Sequence, residues 1–210
     1  MLKNISNSYF INLSSRKDRL YHFNYNIGFN VNRFNAIKAN SQTITNGDVT
    51  IPEHACYSSH LKLWQKLSNS QTDYSYLILE DDVYPLINFI KLWNNELHKY
   101  IPEDFDLIYL GGCLSANKAH YRKILQKYNR YFYIVKDNNF FKPNTNFWHM
   151  TTESYIISKK CASYFCEKTN SNGINTPVDH FISNQSMQLK YYHVSPECFV
   201  QNKNLKSDIN

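Results

Sequence analysis

The chain has 210 residues, 42% of them hydrophobic and 16% aromatic, enough for a single globular domain over residues 1–210 with a full core. Its formal net charge of +6 suits an acidic partner such as a nucleotide diphosphate. The basic residues are scattered, however, and the densest stretch, Lys118 to Arg130, carries Tyr121, Leu125 and Tyr128 as a solvated helix face would, which argues against nucleic acid. The five cysteines, Cys56, Cys113, Cys161, Cys166 and Cys198, are odd in number and form no Cys-x-x-Cys pair, so they support neither a disulfide framework nor a zinc site. Asn4, Ser6, Asn7 and Ser8 interrupt the N-terminus, leaving no apolar signal core, and no apolar run approaches membrane-spanning length. A cytoplasmic protein with reduced thiols and no membrane span is expected.

Tyr9 to Leu13 reads as the first strand, followed by a helix capped by Ser14 or Ser15, with Leu20, Phe23 and Ile27 on its apolar stripe and Gly28 ending it. Val31 to Phe34 is a second, weaker strand pattern, and Lys38 to Asp48 is polar and turn-rich, as in a loop. Thr50-Ile51-Pro52-Glu53 then opens a helix predicted to run to about Leu67, with Ala55, Cys56, Ser59, Leu63 and Leu67 on or near one stripe and His60 inside it. On composition alone, a histidine there reads as a satisfied structural residue.

Tyr76-Leu77-Ile78-Leu79 is a continuous apolar run, as in a strand buried on both faces, and it ends abruptly in Glu80-Asp81-Asp82. In an open α/β sheet ligands collect at the carboxyl ends of strands. With a side-chain period of two, Glu80 and Asp82 are expected on one face and Asp81 on the other. Two hard oxygen ligands on one face suit Mg²⁺ or Mn²⁺ together with a phosphate substrate. The plain alternative is that these acids solvate a strand end.

Leu86 to Tyr100 has helical spacing with Trp93 in the core, and Phe105 to Leu110 is another buried strand that ends in Gly111-Gly112. Paired glycines there permit close backbone approach to a ligand, although a turn explains them equally. Ala116 to Asn129 reads as helix or loop, Tyr131 to Val135 as a strand, and Asn138 to Asn146 as a polar loop at an active site. Trp148 to Ser158 reads as a strand, Ser158 caps a helix through Lys168 that Asn172-Gly173 stops, Pro177 opens a short helix with Asp179 and His180, and Leu189 to Val194 is a late strand. Strands alternating with helices indicate α/β architecture, a mainly parallel central sheet flanked by helices.

The Walker phosphate loop, the dinucleotide glycine fingerprint, the Gly-x-Ser-x-Gly elbow and the His-Glu-x-x-His helix are all missing. Cys56 and His60, at i and i+4, could pair as a nucleophile and its base, but no third orienting group is evident. What remains is an acidic strand end, a positive balance and arginines just after the first strand. That set fits transfer from a nucleotide-diphospho donor, with a divalent ion offsetting charge on the leaving group and a carboxylate taking the acceptor's proton.

An ordered set of short pieces carries a resemblance across nearly the whole chain. It comprises Phe10-Ile11-Asn12-Leu13 with Arg16 and Arg19, Phe34-Asn35-Ala36-Ile37, Ala55-Cys56-Tyr57-Ser58-Ser59-His60 with Trp64, and Leu79-Glu80-Asp81-Asp82. It continues with Asp106 to Gly111, Tyr155-Ile156-Ile157-Ser158, Pro177-Val178-Asp179, Gln201 and Ser207-Asp208-Ile209. In this order the pieces resemble glycosyltransferase family 25, which includes lipopolysaccharide and procollagen galactosyltransferases. The chain departs from that pattern at Pro52-Glu53-His54, where a glycine-led segment is expected.

The resemblance implies a GT-A-like fold, a UDP-sugar donor, Mn²⁺ (or Mg²⁺) and inversion at the anomeric carbon, with a hexose (galactose or glucose) passed to a glycan or protein hydroxyl. It implies Glu80 and Asp82 as metal ligands, with His193 able to complete the shell. It places Asn12, Arg16, Arg19, Ala36, Ser59, His60, Asp81, Gly111 and Gly112 around the donor. Asp179 is the candidate base and Glu153 the second choice, although Asp179 reads equally as an acid favoured in the first turn of a helix. Two rival functions use the same residues: an inactive GT-A-like module that binds glycans or nucleotides, and a metal-dependent phosphohydrolase.

Overall fold

The computed structural model describes residues 2–42, 45, 47, 49–111, 125–135, 151–186 and 188–206. Gly112, Cys113, the loop expected at Asn138 to Asn146 and the Ser207-Asp208-Ile209 piece lie outside the described residues.

The chain begins with β1 (Asn7–Asn12), α1 (Lys17–Asn26) and β2 (Asn32–Asn35), followed by α2 (Ile51–Asn69) and β3 (Ser75–Glu80). Next come β4 (Val83–Pro85), α3 (Phe89–Asn95), a 3₁₀ turn at Leu97–Lys99, β5 (Leu107–Tyr109), β6 (Leu125–Lys127) and β7 (Phe132–Val135). It closes with β8 (Ser154–Ser158), α4 (Lys159–Asn172), α5 (Val178–Asn184), β9 (Tyr191–Val194) and β10 (Phe199–Gln201).

An 8-stranded sheet takes the order β2-β1-β3-β8-β5-β9-β7-β6, and β10 pairs with β4 in a separate ribbon. β1 is parallel to β2 and β3, and β5 is parallel to β9, whereas β8 runs against β3 and β5, and β7 against β9 and β6. Most strands therefore share one direction, with β8 and β7 reversed. The parallel half (β2, β1, β3) aligns its carboxyl ends, and there the site forms.

β3 is buried on both faces, as its unbroken apolar run predicts. Tyr76 and Ile78 join Tyr9, Ile11, Tyr109 and Tyr155 in a cluster closed by Leu63, Trp64 and Leu67 of α2 and Cys161 and Phe165 of α4. Leu77 and Leu79 face the other way, into a cluster with Phe10, Phe23, Trp93 and Ile156. Alternation along one strand thus builds both cores, and Glu80, in step with Ile78, emerges on the α2 side.

α2 starts where its sequence predicts. Thr50 accepts from Glu53 N while the Glu53 side chain accepts from Thr50 N, a complete capping box with proline in the first turn. Ser158 caps α4 by accepting from Cys161 N, and Gly173 ends that helix at φ +70°, a conformation that favours glycine. Other boundaries differ from expectation. α1 begins after Arg16 without a side-chain cap from Ser14 or Ser15. The helix expected over Leu86 to Tyr100 is only α3 and the 3₁₀ turn. Pro85 pairs with Phe199, Leu86 N donates to Cys198 O, and the Asn88 side chain caps α3, so the preceding backbone is engaged elsewhere.

Candidate active site at the carboxyl ends of the parallel strands

The β1–β3 register sets Ile11 opposite Glu80, which brings Asn12 beside the acidic turn. Asn12 is buried and donates through Nδ2 to Asp81 Oδ2 at 2.6 Å and to Arg16 O at 3.2 Å. Arg19, in the first turn of α1, reaches the same point: Nη1 lies 2.7 Å from Asp81 Oδ1 and 3.2 Å from Asp82 Oδ2, and Nη2 donates to Lys206 O. Arg16 donates to the same carbonyl and forms a two-pronged pair with Asp18. Asn12 and Arg19 thus hold both oxygens of Asp81 beneath the site, while Asn12 Oδ1 and Arg19 Nε stay buried without a partner.

The alternation expected of Glu80, Asp81 and Asp82 does not hold. β3 stops at Glu80 and the chain turns at Asp81-Asp82, so one guanidinium serves both aspartates. Burial pushes the Asp81 carboxyl up, against the hydrogen bonds from Asn12 and Arg19. Burial and the Glu80 charge push Asp82 up to about 6. Asp82 Oδ2 also accepts from Gln201 Nε2 at 3.0 Å, and Asn202 N donates to Asp82 O, so β10 closes one side of the turn.

Glu80 is the more accessible acid. Its Oε1 accepts from Thr152 Oγ1 and lies 3.7 Å from His60 Nε2. Burial works to raise this carboxyl, but His60, Thr152 and Arg19 outweigh it and leave Glu80 below its usual range. Because β8 runs against β3, Glu153 O accepts from Glu80 N at 2.9 Å, and the Glu153 side chain accepts from Thr151 Oγ1. Burial, with the Glu80 and Asp82 charges, pushes Glu153 up to about 8. Asp179, at the start of α5, accepts from His180 N through Oδ1 and is raised chiefly by burial.

Two neighbouring cavities meet at Cys56 and Glu80. One, of about 110 Å³, is mostly apolar and includes Ile11, Ala36, Ile37, Ala55, Ser59 and Asp81 in its wall. Ser59 shapes it by accepting from Ile37 N and donating to Ala55 O, which fastens the chain after β2 onto α2. The other, of about 260 Å³, is lined by Glu53, Glu80, Thr152, Glu153, Asp179 and Gln201, among others. Gly111 stands behind it: a Cβ there would lie 2.2 Å from Phe199 O and 3.1 Å from Glu153 Oε1.

Among the described residues, no group of three or more His, Cys, Asp and Glu side chains could hold a metal ion. His193 lies in β9 with Tyr109 and Tyr133 as strand partners, and burial holds its imidazole down at about 4. The carboxylate pair itself fits a cation that takes its remaining ligands from a substrate. Asp82 Oδ1 is buried and accepts no hydrogen bond, and the Glu80 charge is among the causes that raise Asp82. Cys56 and His60 do not form a nucleophile pair. Burial and the surrounding carboxylates hold the Cys56 thiol well above its usual range, and His60 Nδ1 bonds Tyr155 Oη at 2.8 Å.

Thr152 lines the site without having been singled out, and Gln201 and Cys56, named as pieces of the resemblance and Cys56 also as a possible nucleophile, line it without having been assigned to the donor or the metal. Gln201 reaches Asp82 across 119 residues through the β4–β10 pairing, which leaves no local trace in the sequence. Thr152 adjoins Glu153, a candidate already, and that adjacency was the only available signal.

The site is thus a carboxylate-lined cleft at the strand ends of a mixed sheet with helices on both faces. A model of glycosyltransferase family 25, described as LPS biosynthesis protein, matches residues 5–182, and the chain belongs to this family. Among solved structures, it is similar to a glycosyltransferase involved in glycosylation of the major capsid of PBCV-1, at 10% identity and TM-score 0.46 over 95% of this chain and 93% of that one. It is also similar to GlyE of Streptococcus pneumoniae TIGR4, at 10% identity and TM-score 0.45 over 90% of this chain but 44% of that one. A third similar structure is a Drosophila galactosyltransferase 7 mutant in complex with manganese, UDP-Gal and xylobiose, at 12% identity and TM-score 0.43 over 94% and 71% of the two chains. No curated protein sequence matches the chain.

Proposed function

We propose that this chain is a metal-dependent, inverting glycosyltransferase that moves a hexose, galactose or glucose, from a UDP-sugar to a hydroxyl of a glycan or protein. The observation that carries this reading is the meeting of two unlike cavities at Glu80. The apolar one suits the flat base and ribose of a nucleotide, and the acidic one suits a sugar and an incoming hydroxyl beside Asp179.

A divalent ion held by Glu80 and Asp82, Mn²⁺ or Mg²⁺, would supply Lewis-acid neutralisation of the leaving diphosphate. Asn12 and Arg19 hold Asp81 and the turn in place, and Gln201 orients Asp82. Asp179 takes the proton of the acceptor hydroxyl, whose oxygen bonds to the anomeric carbon from the face opposite the bond to the diphosphate oxygen, which breaks. Between the two candidate bases, Asp179 fits the role better. Glu153, at about 8, holds its own proton near neutrality, and it is the more deeply buried of the two.

The test is turnover of UDP-galactose and UDP-glucose, by transfer or hydrolysis, with and without Mn²⁺. Asp179→Asn is expected to lose turnover by about 100- to 10,000-fold while keeping its affinity for UDP. Unchanged turnover would move the base elsewhere, and full activity of Asp82→Ala in excess chelator would remove the metal assignment.

A further inference from the structure

His60 is fully buried, yet it is one of only a few groups that reach Glu80 from the protein interior. Its ring is held in a chain of aromatic hydrogen bonds. Trp64 Nε1 donates to Tyr155 Oη at 3.0 Å, and Tyr155 Oη lies 2.8 Å from His60 Nδ1. The indole N–H is only a donor, so it takes a lone pair of the tyrosine oxygen and leaves the tyrosine hydrogen to be placed. His60 Nδ1 is the acceptor within reach. A neutral imidazole that accepts at Nδ1 carries its hydrogen on Nε2, and Nε2 faces Glu80 Oε1 at 3.7 Å with no other hydrogen-bond partner. The opposite tautomer would direct a second donor at the tyrosine oxygen and leave the tyrosine's own hydrogen buried and unsatisfied. His60 also stacks on Tyr155 at 5.8 Å between ring centroids, with 25° between the planes, so the ring has little freedom to turn.

We propose that Tyr155 is a positioning residue of this site: with Trp64 it fixes the His60 ring and its tautomer, so that the Nε2–H is aimed at the Glu80 carboxylate. His60, which also lines the apolar cavity, then reaches Glu80 from the protein side. Together with Thr152 Oγ1, which binds the same Glu80 oxygen, it sets the orientation of that carboxylate. At 3.7 Å the Nε2–Oε1 separation is beyond a direct hydrogen bond, so the pair interacts electrostatically. The part of the proposal that concerns turnover rests on the reading of Glu80 as a donor-site residue.

The experiment separates the two. In full-length protein labelled with ¹⁵N at histidine, the His60 ring is expected to show a protonated Nε2 and a bare Nδ1. Tyr155→Phe should lose that signature, becoming a tautomer mixture or the Nδ1–H form. In turnover of the UDP-sugar, Tyr155→Phe is expected to fall about 10- to 100-fold, as supporting partners of a site commonly do. His60→Asn, which mimics only Nδ1, should fall about as far, and His60→Gln, which keeps an N–H near the Nε2 position, should fall less. A protonated Nδ1 in the wild type overturns the proposal whatever Glu80 does. So does wild-type turnover in both Tyr155→Phe and His60→Asn when Glu80→Gln is strongly impaired. If instead Glu80→Gln itself turns over UDP-sugar normally, the proposed function of Glu80 fails, and with it the relay's role in turnover, while the tautomer stands or falls on the spectrum.

Discussion

Arg19 shows how the site's charge is arranged residue by residue. Its guanidinium is the only cation within ion-pair distance of Asp81 or Asp82 among the described residues, and all three side chains are nearly buried. Removing one partner of such a cluster leaves uncompensated charge inside the protein, which typically costs about 3–5 kcal/mol. Arg19→Leu is therefore expected to lower the unfolding free energy by an amount of that order, seen as a lower denaturant midpoint at unchanged slope. An unfolding free energy within about 0.5 kcal/mol of wild type would show that Asn12 and Gln201 suffice for the aspartates.

Glu153 supports a second residue-scale prediction, in pH. Its carboxyl is raised to about 8 in the folded chain from an ordinary value of 4.5, so the folded state binds this proton more tightly than the unfolded state. Stability from this group is fully present below pH 4.5 and is lost as pH rises through about 8. Glu153→Gln removes the titration while keeping the shape. Thermal midpoints measured without metal between pH 5 and 8.5 should decline less in the variant than in wild type. Parallel curves would show that Glu153 is no more protonated folded than unfolded.

At the scale of elements, the capping box makes α2 the best-defined helix in the sequence. Thr50 accepts from Glu53 N while Glu53 accepts from Thr50 N, and the helix that follows carries Cys56, Ser59 and His60 to the site. Thr50→Ala should cost about 1 kcal/mol, read as a shift in denaturant midpoint. The same element shows why much of the architecture was legible. Thr50 to Glu53 is a local signal for a helix start, and Tyr76 to Leu79 is an unbroken apolar run that only a doubly buried strand explains. What escaped reading lacked such signals. β4 and β10 are too short for periodicity and are defined by each other across the chain. The turn at Asp81-Asp82 ends the strand two residues sooner than alternation assumes, which brings both aspartates to Arg19. Tyr155 looked like any core aromatic of β8, because its partners, His60 and Trp64, are more than 90 residues away.

Across the whole molecule, positive net charge coexists with a cleft of concentrated negative charge. Glu80, Asp82, Glu153 and Asp179 come from β3, the turn after it, the approach to β8 and the start of α5, so separate parts of the fold converge on one repulsive centre. The raised Asp82, Glu153 and Asp179 carboxyls are its signature, because burial and the Glu80 charge push each of them up. A divalent cation bound there should stabilise the entire domain, because elements that otherwise repel are drawn together. With Mn²⁺ and UDP at about 100 times their joint dissociation constant, ligand linkage supplies about 2.7 kcal/mol. For a domain of this size that corresponds to a rise in thermal midpoint of roughly 5–10 °C. Asp82→Ala should keep only the part due to UDP alone. An equal rise for both proteins would place the cation away from Asp82, and no rise for wild type would leave the convergent carboxylates as a site for something other than a metal-bound diphosphate.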